Sequence, residues 1–247
     1  MQAIARIATH GCTARTVVVA AHGTRDPAGV AVARQLVAEL RARLPGKLVL
    51  LAFVDVLGPA VGEVVAGVPG PVTVVPAFLT SGYHVRTDVP REVAATGRKD
   101  VTVTAAFGPH PLLVNAMVDR LRAAGWRRGD AVVLAAAGSS DERAIADVRT
   151  VAGQLSGEIG CRVLVGFIAT GAPSVMALVA GLRRAGEPRV AVASWLLAPG
   201  LFYTRLGSSG ADVVAAPLGV HSGVVDRLGQ LAGAGDGASQ RMERVSG

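Results

Sequence analysis

Lysine is nearly missing from this chain of 247 residues: 23 of its 25 basic side chains are arginine, and only Lys47 and Lys99 are lysine. The arginines are dispersed, adjacent only at Arg127-Arg128 and Arg183-Arg184. Aromatics make up 4% of the residues, and no polybasic run interleaved with them occurs, so no nucleic-acid partner is expected. Cysteine appears twice, as Cys12 and Cys161, which provides neither a disulfide framework nor a CxxC metal or redox motif. A reducing, cytoplasmic setting fits that scarcity. Long hydrophobic runs are lacking as well. Although 51% of the residues are apolar, the longest clean runs, Leu48 to Val54 and Ala131 to Ala137, reach seven residues. A membrane span needs roughly 20, so no membrane association is expected. Neither GxGxxG nor GxxxxGKS/T occurs, which removes the commonest nucleotide-binding loops.

The chain is nevertheless basic, with a formal charge of +7. Residues 17–128 hold 13 basic and 8 acidic side chains, whereas residues 129–232 hold 8 of each. An anionic partner at the first half would account for this bias, and so would a solvated basic face. Residues 1–16 contain Arg6 and Arg15 but only a short apolar stretch, broken by Thr9, His10 and Gly11. They read as a flexible extension rather than an export signal. The polar, glycine-rich residues 233–247 read as a flexible tail.

Between these ends, strand and helix signals alternate. Short apolar runs at 17–21, 48–54, 72–77 and 101–105 suit strands buried on both faces of a parallel sheet. Helical periods separate them, the first opened by Asp26-Pro27, a capping residue followed by a first-turn proline, and closed at Pro45-Gly46. A short helix is expected at 87–95 and another at 111–124. The second half repeats the order, with strands at 131–136, 162–167, 189–194 and 212–215. Residues repeat as well: Val-Val-Val-Ala-Ala-His22-Gly-Thr-Arg-Asp matches Val-Val-Leu-Ala-Ala-Ala137-Gly-Ser-Ser-Asp, and Val-Asp-Arg-Leu recurs at Val118–Leu121 and Val225–Leu228. The expected fold class is therefore α/β: two tandem, doubly wound parallel-sheet lobes related by internal duplication, at 17–128 and 129–232.

In such sheets the active crevice lies beyond the carboxyl ends of the strands. His22 directly follows the first strand, Asp55 the second, and His84 lies in the loop after the third. Two imidazoles and a carboxylate suit a first-row divalent ion such as Fe²⁺ or Co²⁺. The alternative is that each is a hydrogen-bonded structural residue. The duplication bears on that choice, because His22, Asp55 and Tyr83-His84 become Ala137, Ala169 and Leu201-Phe202 while the glycines, prolines and apolar residues around them persist. The first repeat reads as active and the second as a degenerate copy. His110 and His221 are kept in both copies at helix starts, where capping is the simpler role. Arg25, Arg86 and Arg91 flank the two histidine loops and are candidates for contacting carboxylates. A phosphohistidine site at His22 is disfavoured, since Ala21 stands where a phosphate-binding arginine would precede it.

Ala-Ala-His22-Gly-Thr-Arg-Asp-Pro, followed by Pro76-Ala-Phe-Leu-Thr-Ser-Gly-Tyr-His84-Val-Arg-Thr-Asp-Val-Pro90, resembles the two signature segments of the sirohydrochlorin chelatases. The resemblance extends from about residue 17 to residue 231 and matches the long, internally duplicated form. It implies insertion of Fe²⁺ or Co²⁺ into a polycarboxylate tetrapyrrole for sirohaem or cobalamin biosynthesis, with His22 and His84 as metal-binding and catalytic residues. It further implies Arg25, Arg86 and Arg91 near the tetrapyrrole carboxylates, and no cofactor beyond the metal substrate. Asp55 departs from the glutamate usual in related enzymes, which leaves its coordination of the metal open. A binding protein without turnover, such as a metallochaperone, would use the same residues. A monomer or a homodimer is compatible with two lobes on one chain.

Overall fold

The computed structural model describes residues 15–82 and 84–245, with His84 and residues 235–245 described as backbone only. Strands β1 (Thr16–Ala21), β2 (Leu48–Phe53), β3 (Val72–Pro76) and β4 (Val101–Val103) form one parallel sheet in the order β2-β1-β3-β4. Strands β5 (Ala131–Gly138), β6 (Val163–Thr170), β7 (Val190–Trp195) and β8 (Val213–Val214) form a second in the matching order β6-β5-β7-β8. The connecting helices are α1 (Pro27–Arg43), α2 (Val61–Gly67), α3 (Val89–Ala95), α4 (Pro111–Ala123), α5 (Glu142–Ile159), α6 (Val175–Arg184), α7 (Leu201–Leu206) and α8 (Ser222–Val245). The duplicated α/β architecture expected from the sequence is the one observed. Among the described residues no helix is long and apolar enough to cross a membrane.

Local chemistry explains the helix starts. Asp26 accepts the Ala28 N–H at 2.9 Å to cap α1, and Asp141 accepts the Arg143 N–H at 3.0 Å to cap α5. His110 and His221 cap through Nδ1, from Leu112 N–H at 3.3 Å and Gly223 N–H at 3.1 Å, as their place in both copies suggested. The repeats differ at their strand ends. The ladder of the second repeat runs on to pair Gly138 with Thr170, whereas β1 and β2 stop at Ala21 and Phe53 and give way to the loops of His22 and Asp55. The short helix after β3 is preceded by a π-helical turn, His84–Asp88, three residues earlier than its expected start.

The strands alternate between two layers. Val17 and Val19 of β1, with Val132 and Leu134 of β5, face a common core that also holds α1, α4, α5 and α8. Val18 and Ala20 face a separate layer with α2 and α3, and Val133 and Ala135 one with α6. Four helices thus lie between the two sheets, and the repeats trade one helix each. The first repeat's α4 packs on α5 and β7, while the second repeat's α8 packs on α1, β3 and β4. The repeated Val-Asp-Arg-Leu motif pins this exchange. Arg120 on α4 donates to the Leu218 carbonyl, and its counterpart Arg227 on α8 donates to the Phe107 and Ala106 carbonyls.

Helix α8 continues to Val245, across the stretch whose composition suggested a loose tail. Leu231 and Ala232 are buried just before that stretch, and within it come Ala238, Gln240, Arg241, Met242 and Glu243, all good helix formers. Of the extension expected at 1–16, residues 1–14 lie outside the described residues, and Thr16 already belongs to β1.

Candidate active site

From β1 the chain moves outward to β2, then crosses back over β1 to reach β3, so the connections diverge at the carboxyl ends of β1 and β3. That switch point leaves a crevice in any doubly wound sheet. Here the switch point of the second sheet, at β5 and β7, opens on the same space. The result is a cleft of about 620 Å³ between the repeats, within the range of small-molecule sites. Its walls include residues 21–24 and 77–80 from the first repeat and residues 136–140 and 195–199 from the second. Most of the lining is apolar, with Leu36, Phe78, Ile145, Trp195 and Phe202 among it.

His22 lines this cleft directly after β1, and its side chain is exposed. Phe78, from the loop after β3, meets its imidazole edge to face, with ring centroids 6.1 Å apart and planes at 63°. Gly23 follows with φ +97°, and a Cβ there would fall 2.1 Å from the Asp55 carbonyl oxygen. Only glycine permits that close crossing. It brings the first two site loops together, so that Asp55 N–H donates to the His22 carbonyl at 3.0 Å.

Asp55 itself is exposed and lies outside the cleft lining. One of its carboxylate oxygens accepts the Val56 N–H at 2.7 Å, and Val56 has φ +67°, a strained value for a β-branched residue. His84 opens the π-helical turn after β3, and its side chain, like Tyr83, lies outside the described residues. Among the described residues, no cluster of three or more His, Cys, Asp or Glu side chains is arranged to hold a metal. His22 and Asp55 are brought together by their backbones, through the Asp55 N–H on the His22 carbonyl.

The flanking arginines lie outside the cleft lining. The cleft lining holds no arginine or lysine. Arg86 pairs with Asp141 of the second repeat and donates through Nε to the Ser81 carbonyl at 2.9 Å. Arg91 pairs with Asp88 at 2.8 Å, one helical turn away, and Arg25 is exposed away from the cleft lining. Sequence proximity to the histidines could not show these pairings.

Residues missed by sequence reasoning lie on α5. Asp147 accepts from both the N–H and the hydroxyl of Ser81, at 2.7 and 2.6 Å. The Arg143 N–H first, and then Arg86, hold the Asp141 carboxyl below the usual carboxylate range. The one sequence signal was positional: aligned on the Asp26 and Asp141 caps, Asp147 stands where α1 has apolar Val32.

The family model for CbiX matches the chain twice, over residues 16–124 and 131–232. SirB from Bacillus subtilis with Fe³⁺ has a TM-score of 0.82 at 18% identity, covering 92% of this chain and 97% of that one. The sirohydrochlorin chelatase SirB from Bacillus subtilis subspecies spizizenii, in complex with cobalt, has a TM-score of 0.73 at 18% identity, covering 90% and 95%. A multi-domain protein of Deinococcus radiodurans with structural similarity to chelatases reaches 0.71 at 22% identity, covering 91% of this chain and 56% of that one. No curated protein matches in sequence. At these identities the solved structures establish the fold, and the double match over nearly the whole described chain establishes the family: this chain belongs to the CbiX family.

Proposed function

We propose that this chain is a sirohydrochlorin chelatase, a lyase that inserts Fe²⁺ or Co²⁺ into a polycarboxylate tetrapyrrole for sirohaem or cobalamin biosynthesis. The observation that carries the reading is His22 on the wall of an apolar cleft at the switch point of both sheets. A flat macrocycle needs apolar walls to lie against, and the carboxylates around its edge need water. A lining without arginine or lysine and an open mouth meet both needs. The solved SirB structures of the same fold contain cobalt or iron, which supports a first-row metal as the second substrate.

The reaction is a metal–proton exchange: a divalent ion enters the ring as two pyrrole N–H protons leave, with no change in oxidation state. An exposed imidazole suits both halves of it. Imidazole nitrogen binds borderline divalent ions with open coordination positions, and it accepts protons near neutral pH. Phe78 restricts the tilt of the His22 ring, and the fixed Gly23 crossing sets its origin. His84, from the loop on the opposite side of the switch point, completes the metal-binding pair in this reading. Asp55 is assigned to the loop, because it lies outside the cleft lining and one of its carboxylate oxygens holds the Val56 N–H. The reading invokes no further cofactor, and the scarcity of cysteine fits a reducing, cytoplasmic setting.

Anaerobic mixing of the protein, sirohydrochlorin and Co²⁺ or Fe²⁺, followed by absorbance, tests the proposal. Insertion faster than the uncatalysed reaction is expected. Tight binding of metal or tetrapyrrole without acceleration would instead identify a metallochaperone.

A further inference from the structure

The loop that leaves β3 and carries His84 is held by the other repeat. Ser81 is engaged at three polar atoms: its N–H and hydroxyl donate to Asp147, and its carbonyl accepts from Arg86 Nε–H. Arg86 in turn pairs with Asp141, the cap of α5. Within the loop, the N–H groups of Val85 and Arg86 donate to the Gly82 carbonyl at 3.2 and 3.3 Å. The chain is thus anchored just before His84 and just after it, and both anchors end on carboxylates of α5.

The internal symmetry shows that the fold does not require these anchors. At the equivalent contact the loop after β7 meets α1, with Pro199 in the place of Ser81 and Val32 in the place of Asp147. Backbone packing suffices there: a Cβ on Gly29 would lie 2.7 Å from the Pro199 carbonyl oxygen. In the first repeat Ala144 stands in the place of Gly29, and a Cβ on Gly82 would be in ordinary contact with it, 3.7 Å from Ala144 Cβ. Among the described residues, the Ser81–Asp147 anchor occurs only at the loop that bears a metal-capable residue.

We propose that Asp147 and Asp141 are positioning residues for metal handling: two carboxylates of the degenerate repeat fix the backbone on either side of His84 and so set its station opposite His22. This role rests on the reading of His22 and His84 as the metal-binding pair. It also gives the second repeat a duty it kept after losing its own polar groups at Ala137 and Ala169. A partner that orients a metal ligand through hydrogen bonds typically governs affinity by about 10- to 100-fold.

The test is Co²⁺ titration of the full chain without tetrapyrrole, by calorimetry, for wild type, Asp147→Ala, His84→Ala and the double variant. Thermal unfolding of each is measured alongside. Asp147→Ala is expected to weaken Co²⁺ binding by about tenfold or more while the His84→Ala background shows no further loss. Asp147→Asn, which keeps an acceptor oxygen, is expected to recover part of the affinity. In the insertion assay the KM for metal rises and the KM for tetrapyrrole does not. Unchanged Co²⁺ affinity in Asp147→Ala, or equal weakening with and without His84, overturns the positioning role and leaves the metal site standing. Unchanged affinity in His84→Ala overturns the metal-site reading and the positioning role with it. Should Asp147→Ala fail to fold, Ser81→Ala removes the hydroxyl bond alone, and a loss of metal affinity confined to the His84-containing background is again required.

Discussion

Arg120 and Leu218 are 98 residues apart in the chain, yet the guanidinium donates twice to the Leu218 carbonyl, from Nη2 at 2.9 Å and Nε at 3.1 Å. Arg227 repeats the arrangement toward Phe107 and Ala106. Each arginine belongs to the helix its repeat has given away, and each satisfies the loop that leads into the helix received in return. Hydrogen bonds from a charged donor contribute about 1.5–3 kcal/mol net. Arg120→Ala should therefore destabilise the protein by about 2 kcal/mol, read as a fall of roughly 4–8 °C in Tm. Arg120→Lys, which lacks the fork geometry, should recover less than half.

Removing the exposed His22 imidazole deletes little packing. His22→Ala should lower the rate of metal insertion by at least about 100-fold, the ordinary scale for an acid–base group, with Tm nearly unchanged. Asp55→Ala should reduce the rate less, because its carboxylate binds Val56 N–H and lies off the cleft wall. A loss as large as that of His22→Ala would place Asp55 on the metal.

Gly23 and Gly138 form a natural control pair. A Cβ would fall 2.1 Å from the Asp55 carbonyl oxygen at Gly23 and 1.7 Å from the Thr170 carbonyl oxygen at Gly138. Alanine at either site should cost at least about 2 kcal/mol through the positive φ and the backbone clash. Both variants should lower Tm in thermal unfolding. Activity per folded molecule should fall further for Gly23→Ala, whose shift moves His22, than for Gly138→Ala, which disturbs only the cleft wall of the second repeat.

The capping role of His110 has a pH signature. Nδ1 accepts Leu112 N–H only when it carries no proton. Burial first, and then the positive charge of Arg227, push this imidazole below its ordinary pKa. The folded pKa is thus lower than the unfolded one, so the native state binds fewer protons. Stability is complete above the ordinary imidazole pKa and is lost as pH falls through it toward the folded value. Denaturant midpoints measured from about pH 7 down to about pH 5 should decline in wild type. The decline should be shallower in His110→Asn, whose cap does not titrate.

Strands and repeats were legible because each apolar run is short, bounded and duplicated. Val17–Ala21 and Ala131–Ala136 could hardly be anything but buried parallel strands once the intervening helices were seen. The capping histidines were legible for the same reason, as residues kept in both copies at helix starts. The helix exchange was not. The buried face of α4, with Leu113, Met117 and Leu121, would serve equally well against either sheet, and only Arg120 meeting Leu218 reveals the choice. The partner of Arg86 was not legible either, because Asp141 lies fifty-five residues downstream in the other repeat. The apolar character of the cleft was equally hidden, since its wall is assembled from short stretches of both repeats that lie far apart in the chain.

The traded helices also decide how the cleft can admit a large, flat guest. Two lobes joined by a linker can swing apart like jaws; these cannot, because α4 and α8 are each rooted in one repeat and seated on the other's sheet. Any rotation that parted the walls would tear a single continuous core. The body behind the cleft therefore works as a single frame shared by both repeats.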